Sequence, residues 1–334
     1  MGLLKRLKPD NYVLAILGMV VLASILPVKG QAAHAFDLLT KGVIALLFFL
    51  HGARLSREAV VAGLVNWRLH LIVLATTFAL FPALGLLLQH LPTTIMPTTL
   101  AAGVLFLCCL PSTVQSSIAF TSVARGDVAA AVCAASASNL FGIFITPVLV
   151  GFTLQAHGAG FSLPAVEAVV VQLLIPFLAG QLLRPLVGAF LSRHAKLTSY
   201  VDRGSILFVV YGAFSEAVTH GIWSQVSVVQ IVILALICCA LLAAVLGVTA
   251  FGARALGFSK PEEITIVFCG SKKSLASGVP MAGILFPPAQ VGLIVLPLML
   301  FHQIQLMACA IIAQRYAARP AEVAPIEDPA LANV

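Results

Sequence analysis

Long apolar runs alternate with short polar segments along most of the chain. Ten of these runs have the length of a membrane-spanning helix, which needs about 17 to 25 residues to cross the hydrocarbon core. They fall at residues 12–28, 38–53, 69–90, 98–123, 128–154, 165–187, 202–219, 225–252, 264–285 and 289–313. The pattern predicts an all-α integral membrane protein with ten transmembrane helices, of which the second and the seventh are the weakest.

Two of the predicted spans are interrupted by polar residues. In the ninth span the segment Phe268–Pro280 reads FCGSKKSLASGVP, and in the fourth Pro111–Ser117 reads PSTVQSS. A charge in hydrocarbon is costly, so an intramembrane lysine marks a functional site. Non-helical backbone at membrane depth needs a cavity or surrounding protein. The alternative is a kinked or re-entrant helix whose lysines extend to the membrane interface.

The positions of the interruptions predict an internal repeat, because they lie five spans apart. A unit of five helices that occurs twice must be inserted in opposite orientations, which gives inverted repeats. The span after each interruption is also polar on one side. These residues are Ser136, Ser138 and Asn139 in span five, and His302, Gln303 and Gln305 in span ten. We expect helices four and nine to break, cross and enclose a polar chamber.

Composition and charge fit a protein in the lipid bilayer. Of 334 residues 60% are hydrophobic and 9% are charged, against roughly 25% charged in soluble domains. With the N-terminus in the cytoplasm, only Lys29 and Lys41 lie outside and only Lys272 and Lys273 lie within the membrane. The other fifteen of the nineteen lysines and arginines are cytoplasmic. This distribution predicts a multi-pass cell-membrane protein with both termini in the cytoplasm. Because the basic residues are scattered and form no patch, they argue against nucleic-acid binding.

The interruptions contain the candidate binding chemistry. Carbonyl groups at half-helix ends, together with Ser, Thr, Asn and Gln oxygens, can bind sodium, and half-helix N-termini favour an anionic substrate. For any single serine the alternative is a hydrogen bond between helices. Because helical neighbours point about 100° apart, we expect one of Lys272 and Lys273 to enter the crossing and the other to point elsewhere or lie in unwound chain. A buried ammonium there would pair with an anion, replace a bound cation, or lose its proton.

Enzyme motifs are absent from the sequence. It contains no HExxH, GxSxG, P-loop or dinucleotide-binding pattern, so we predict no catalytic residue and no cofactor other than a sodium ion. No predicted span has a carboxylate near its middle, which argues against a proton relay of acidic groups. We interpret His302 first as a hydrogen-bonded packing residue and second as a proton carrier.

Four segments resemble the bile acid:sodium symporter superfamily, solute carrier family 10, in the branch around its member 7. They are Phe49–Leu55, Pro111–Leu140, Gly180–Pro185 and Phe268–Pro280, and the two longer ones are specific. The resemblance implies that substrate, a small organic anion, binds between a core and a panel domain and moves by alternating access. The panel would comprise residues 1–63 and 157–222, and the core residues 64–156 and 223–316, followed by a disordered tail at 317–334.

The resemblance also implies positions for sodium. The first sodium site of the coupled relatives corresponds here to Ser116, Ser117, Ser136, Asn139 and Cys269. The second corresponds to Thr77, where relatives have a glutamine. This chain lacks the glutamate of span nine, and Ser271, Lys272 and Lys273 replace a Gln-Asn-Ser run.

The sequence therefore predicts a secondary active transporter of an organic anion, monomeric or homodimeric, with sodium coupling inherited from the family. Two alternatives stay open because the glutamate is missing: sodium-independent or proton-linked transport, and a non-transporting membrane regulator of calcium homeostasis. The candidate ion- and substrate-binding residues are Thr77, Ser112, Thr113, Gln115, Ser116, Ser117, Ser136, Asn139, Ser271, Lys272, Lys273, Ser274, His302 and Gln303.

Overall fold

The computed structural model describes residues 11–54, 66–155, 167, 170–221 and 226–319. These residues form helices and no strand, which confirms the all-α prediction. We number the helices with the π-helical turns Thr76–Leu80 and Val170–Leu174 included in α3 and α7. They are α1 (Asn11–Ile25), α2 (Gln31–Arg54), α3 (Trp67–Leu88), α4 (Thr98–Cys109), α5 (Val114–Val123), α6 (Val128–Gln155), α7 (Val170–Arg193), α8 (Ala195–Thr219), α9 (Val228–Ala255), α10 (Lys260–Gly270), α11 (Leu275–Leu285) and α12 (Pro288–Ala317).

Six helices in the described part of the chain are long and apolar enough to cross a membrane: α2, α3, α6, α7, α9 and α12. The pair α4–α5 makes a seventh if it is counted as one bent span. Helices α1 and α8 and the pair α10–α11 lie at the other predicted spans, but they are shorter or more polar. The count of ten spans and the inverted repeat therefore stay predictions.

The outer surface is apolar, as a lipid environment requires. Leu182 and Leu186 on α7 are 79% and 78% exposed, and Phe251 on α9 is 70% exposed. Large contiguous apolar surfaces are rare on soluble monomers and mark contact with protein or membrane. The outward-facing leucine and phenylalanine side chains suit contact with lipid tails.

The helices pack in two sets. In the first set α2 lies along α7, and α8 packs against α1 and α2. The second set contains α3 to α6 and α9 to α12, with α4 against α12, α5 against α6 and α10, and α9 against α10 and α12. Helix α8 joins the two sets through its contacts with α11 and α12. Residues 1–10, 55–65, 156–166, 168–169, 222–225 and 320–334, which include parts of the predicted panel, core and tail, lie outside the described residues.

The first three residues of the predicted disordered tail, 317–319, are among the described residues. Ala317 ends α12, and the Arg319 guanidinium donates hydrogen bonds to the carbonyl oxygens of Ala124 at 3.1 Å and Arg125 at 2.7 Å. Arg125 donates in return to the carbonyls of Ala317 and Arg319. Because each arginine caps carbonyl groups at the end of the other's helix, residues 317–319 belong to the folded part, and the prediction of disorder is wrong for them.

Glu263 fixes the start of α10 against α9 and α12. Its carboxylate accepts hydrogen bonds from Arg254 Nη2 at 2.9 Å, Lys260 Nζ at 2.8 Å and the Tyr316 hydroxyl at 2.9 Å. Glu263 lies just before the predicted span 264–285. Burial raises its pKa, but the three donors outweigh burial and hold the pKa of this carboxylate below its usual value.

Helices α2 and α7 come closest together at two glycines. A Cβ atom at Gly52 would lie 2.0 Å from the Phe177 carbonyl oxygen, and a Cβ atom at Gly180 would lie 2.0 Å from the Phe49 carbonyl oxygen. Both obstacles are backbone atoms, which cannot turn away as a side chain can. Small residues of this kind allow membrane helices to pack backbone against backbone.

Substitution of either glycine should separate α2 from α7. We expect Gly52→Ala and Gly180→Ala each to destabilise the protein by about 1–3 kcal/mol, the usual cost of overpacking. The measurement is the thermal unfolding midpoint of the purified protein in detergent. Gly42→Ala on the same helix is the matched control, because nothing lies within 4 Å of a Cβ atom there. Equal midpoints for all three variants would contradict the close helix contact.

Candidate functional site

Both predicted interruptions are breaks in the helices. The first lies between α4 and α5, which differ in direction by 61°. Leu110 is extended there (φ −76°, ψ 155°), as is usual before a proline, and Pro111 follows. The second break separates Gly270 from Leu275, and Ser274 is extended at its end (φ −84°, ψ 111°). The Ser274 hydroxyl accepts a hydrogen bond from Ser277 N at 3.2 Å, which caps the N-terminus of α11.

The two breaks lie against each other. Ser274 N donates to the Pro111 carbonyl oxygen at 2.9 Å, and the Thr113 hydroxyl donates to the Lys273 carbonyl oxygen at 2.8 Å. These bonds join segments about 160 positions apart in sequence. The chain therefore brings its two polar interruptions together in a single crossing.

Serines of the first break bind the C-terminal end of α10. The Ser112 hydroxyl donates to the Cys269 carbonyl oxygen at 2.6 Å, and the Ser117 hydroxyl donates to the Phe268 carbonyl oxygen at 3.1 Å. The last carbonyl groups of a helix have no partner within the helix. Ser112 and Ser117 supply those partners, and Cys269 takes part through its carbonyl group.

Asn139 on α6 connects both breaks. Its Nδ2 atom donates to the Ser112 carbonyl oxygen at 2.5 Å and to the Ala135 carbonyl oxygen at 3.2 Å. Its Oδ1 atom accepts a hydrogen bond from the Ser277 hydroxyl of α11 at 2.8 Å. One amide side chain thus holds the first break and the helix that follows the second break.

Lys273 lies at the centre of the crossing and is fully buried. Its Nζ atom donates to the carbonyl oxygens of Thr77 at 2.9 Å, Cys108 at 2.8 Å and Leu110 at 2.7 Å. It also lies over the Phe81 ring, 4.1 Å from the ring centroid. The ammonium therefore joins α3 to the C-terminal end of α4, where the helix dipole is negative.

Lys272 is also fully buried, on the other side of the break. Its Nζ atom donates to the Ser116 carbonyl oxygen at 2.8 Å and lies 3.9 Å from the Phe120 ring centroid and 5.3 Å from the Phe268 ring centroid. Of the two lysines, Lys273 lies at the centre of the crossing, and Lys272 lies in unwound chain, which is one of the two alternatives expected for the second lysine. The 100° rule applies to a helix, whereas both lysines lie in the non-helical segment between α10 and α11.

The π-helical turn Thr76–Leu80 contributes the α3 side of the crossing. Such turns widen the helix and are frequent at functional sites. The Thr77 hydroxyl donates to the Val73 carbonyl oxygen at 2.7 Å within its own helix, so Thr77 meets Lys273 through its backbone carbonyl and not through its side chain.

Gln305 on α12 binds the backbone of the second break. Its Oε1 atom accepts from Lys273 N at 2.9 Å, and its Nε2 atom donates to the Lys273 carbonyl oxygen at 2.9 Å. Nε2 also lies 2.9 Å from His302 Nδ1. Because an amide nitrogen can only donate, Nδ1 accepts, which agrees with the interpretation of His302 as a hydrogen-bonded residue.

A cavity of about 360 Å³ adjoins the crossing and lies between the two helix sets. Seven of the predicted binding residues line it: Thr113, Gln115, Ser116, Ser136, Asn139, Ser274 and His302. The first helix set contributes Tyr12, His51, Arg54 and Arg203, among others. Ser116 Oγ is buried without a hydrogen-bond partner in the described part of the chain.

Other predicted residues lie elsewhere. Ser271 is buried in the second break but does not line the cavity, and Gln303 also lies outside the lining. The Cys269 sulfur points to the Ala131 carbonyl at 3.8 Å. The prediction missed Ser277, although it lies in the quoted ninth-span segment, and it missed the carbonyls that bind Lys273, which have no sequence signal.

Two broken helices that cross in an apolar bundle, beside a polar cavity, are typical of one class of protein, the secondary membrane transporters. The chain belongs to the SBF-like CPA transporter family, whose profile matches residues 10–318. It is accordingly a multi-pass membrane protein of a transporter family of the bile acid:sodium symporter type, and not an enzyme.

Three relatives illustrate this membership. The chain is 56% identical over 315 residues to "Uncharacterized protein PA2026" of Pseudomonas aeruginosa, covering 94% of this chain and 95% of the relative. It is 54% identical to "Putative symporter YfeH" of Escherichia coli, covering 92% of each. It is 28% identical to "Sodium/bile acid cotransporter 7" of Mus musculus, again covering 92% of each. The predicted resemblance to the member-7 branch is confirmed.

Removal of the Gln305 amide should weaken the crossing. Gln305→Leu leaves the buried N–H of Lys273 without its partner, and the C=O of Lys273 keeps only the Thr113 hydroxyl. An unpaired buried N–H costs about 1–3 kcal/mol. We expect a clearly lower thermal unfolding midpoint in detergent. Gln290→Leu, at an exposed position of the same helix, is the control and should unfold near the wild-type temperature. A Gln305→Leu protein as stable as that control would show that the amide does not support the break.

Proposed function

We propose that the protein is a secondary active transporter that carries a small organic anion by alternating access. The observation that carries the proposal is the cavity between the two helix sets, with the crossing of the two broken helices on one side. Substrate bound there would contact both sets. A movement of one helix set against the other would then change the side of the membrane from which the cavity is accessible.

The two helix sets support the core and panel assignment. In this proposal the panel contains α1, α2, α7 and α8, and the core contains the remaining helices, with α4–α5 and α10–α11 as the broken spans four and nine. The core then has one broken helix from each half of a ten-span inverted repeat. The polar ties between the breaks favour movement of the core as a rigid unit.

The cavity lining suits an organic anion. Arg54 and Arg203 contribute positive charge, and the Arg203 guanidinium lies over the Tyr12 ring at 5.3 Å from its centroid. No carboxylate occurs among the described residues that line the cavity. Apolar side chains such as Phe177 and Leu140 complete the wall. This combination favours a substrate with an acidic group and an apolar body.

Two further cavities suggest which side is open. A cavity of about 780 Å³, lined by Arg184 and Ser199, shares Arg54 and Gln115 with the central cavity. A third cavity of about 520 Å³, lined by Lys41 and other residues, shares no lining residue with the central one. With the orientation that the positive-inside rule predicts, the shared lining residues support the proposal of an inward-facing state.

Uptake by proteoliposomes tests the proposal. The purified protein should accumulate or exchange at least one anion from a panel of labelled carboxylates and sulfonates that includes a bile acid. Asn139→Ala should lower the initial rate at least about tenfold, because the crossing loses the amide that joins its two breaks and positions the cavity wall.

The control is Ser122→Ala, an exposed position of α5, which should transport at the wild-type rate. A folded wild-type protein that moves no anion under any gradient would sink the transport proposal. The same result would favour the alternative that the sequence left open, a non-transporting membrane regulator of calcium homeostasis.

A further inference from the structure

We propose that Lys272 and Lys273 are tethered cations that permanently occupy the two cation positions of the crossing, so that the protein works without bound sodium. The inference deepens the proposed function and depends on it only for the transport measurement. It rests on the partners of the two Nζ atoms and on the positions from which those partners come.

The surroundings of Lys273 require a cation. Three carbonyl oxygens lie 2.7 to 2.9 Å from its Nζ atom. A carbonyl oxygen can only accept, so three N–H donors are needed, and a neutral amine has two. The ring face of Phe81 at 4.1 Å adds a fourth negative surface. A cluster of carbonyl oxygens is also the kind of surrounding that transporters use for sodium.

Lys272 has a different but equally cationic surrounding. One carbonyl oxygen, that of Ser116, accepts its hydrogen bond, and the centroids of the Phe120 and Phe268 rings lie 3.9 and 5.3 Å from the same Nζ atom. Ring faces attract a positive charge and offer little to a neutral amine. Both ammonium groups are thus bound through their charge.

The partners come from the two places at which the resemblance positions sodium. Lys273 binds the backbone carbonyl of Thr77, the residue at the position implied for the second sodium site. Lys272 binds the backbone carbonyl of Ser116, one of the five residues implied for the first. A sodium ion at either place would lie beside a buried ammonium and be repelled by it. Each position holds one positive charge, and in this chain the charge is covalently attached.

The lack of acidic partners among the described residues bonded to the two lysines fits the same assignment. The span-nine segment has no glutamate, and none of the described residues bonded to either Nζ atom is acidic. Two fixed positive charges therefore lie buried in the crossing that adjoins the cavity, next to the lining residue Ser274, and favour an anion there. Energy for transport would come from a proton or from exchange of anions, and not from a sodium gradient.

The decisive experiment measures cation binding through stability, without substrate. The full-length protein in detergent is unfolded by heat in sodium chloride and in choline chloride of equal ionic strength. Wild type should unfold at the same temperature in both salts. In choline chloride, Lys273→Ala should unfold at least about 5 °C below the wild type. Addition of sodium or ethylammonium should restore part of this loss in a saturable manner, since each cation can enter the vacated carbonyl cluster.

Lys196→Ala is the matched control, because Lys196 is exposed on α8 and its loss opens no carbonyl cluster. This variant should show no response specific to sodium. Lys272→Ala repeats the test at the other position if Lys273→Ala does not fold. In proteoliposomes, wild-type uptake of any transported anion should have the same initial rate with and without a sodium gradient.

Two results would overturn the inference: specific stabilisation of wild type by sodium, or lysine variants that gain no response to any small cation. Failure of the proposed function looks different. A protein that transports no anion, but whose Lys273→Ala variant is restored by sodium, would retain the tethered cations and lose only the transport reaction.

Discussion

The structure depends on how the free carbonyl groups of two broken helices are satisfied. Each helix that ends inside the bundle leaves several carbonyl oxygens without partners, and its dipole places partial negative charge there. Water or lipid cannot meet this demand at such depth. The ammonium of Lys273 binds the end of α4, while the hydroxyls of Ser112 and Ser117 bind the end of α10. The crossing is stable because donors from one break meet acceptors from the other.

Neighbouring helices extend this network and determine its shape. The π-helical turn of α3 directs the Thr77 carbonyl to Lys273, Asn139 of α6 joins both breaks, and Gln305 of α12 binds both polar groups of the Lys273 backbone. Buried polar groups without partners are costly, so such a network holds one arrangement strongly once it is complete. This network opposes rearrangement of the two breaks, so the proposed movement between the helix sets would occur at contacts outside it, such as those of α8 with α11 and α12.

The sequence predicts the existence of the crossing better than its contacts. Proline, serines and lysines inside apolar runs are costly enough to reveal both breaks. Helical periodicity could also have placed Gln305 and His302 on one side of α12, since they are three positions apart, and Gln303 on another side. It fails for Lys272 and Lys273, because an unwound segment obeys no such period. Backbone carbonyl ligands have no sequence signal at all, since every residue carries one.

A tethered cation and a bound ion satisfy the same carbonyl groups with different consequences. A sodium ion can leave, so its binding transmits the energy of a gradient to the conformational change. A lysine ammonium cannot leave, so the free-energy cost of removing its charge from water arises only once, during folding. Its attraction for an anion is then constant. With Lys272 and Lys273 as the bound cations, the positive charge of the crossing would be constant. Only species that enter and leave the cavity could then shift the balance between the inward-facing and outward-facing states of the proposed transporter.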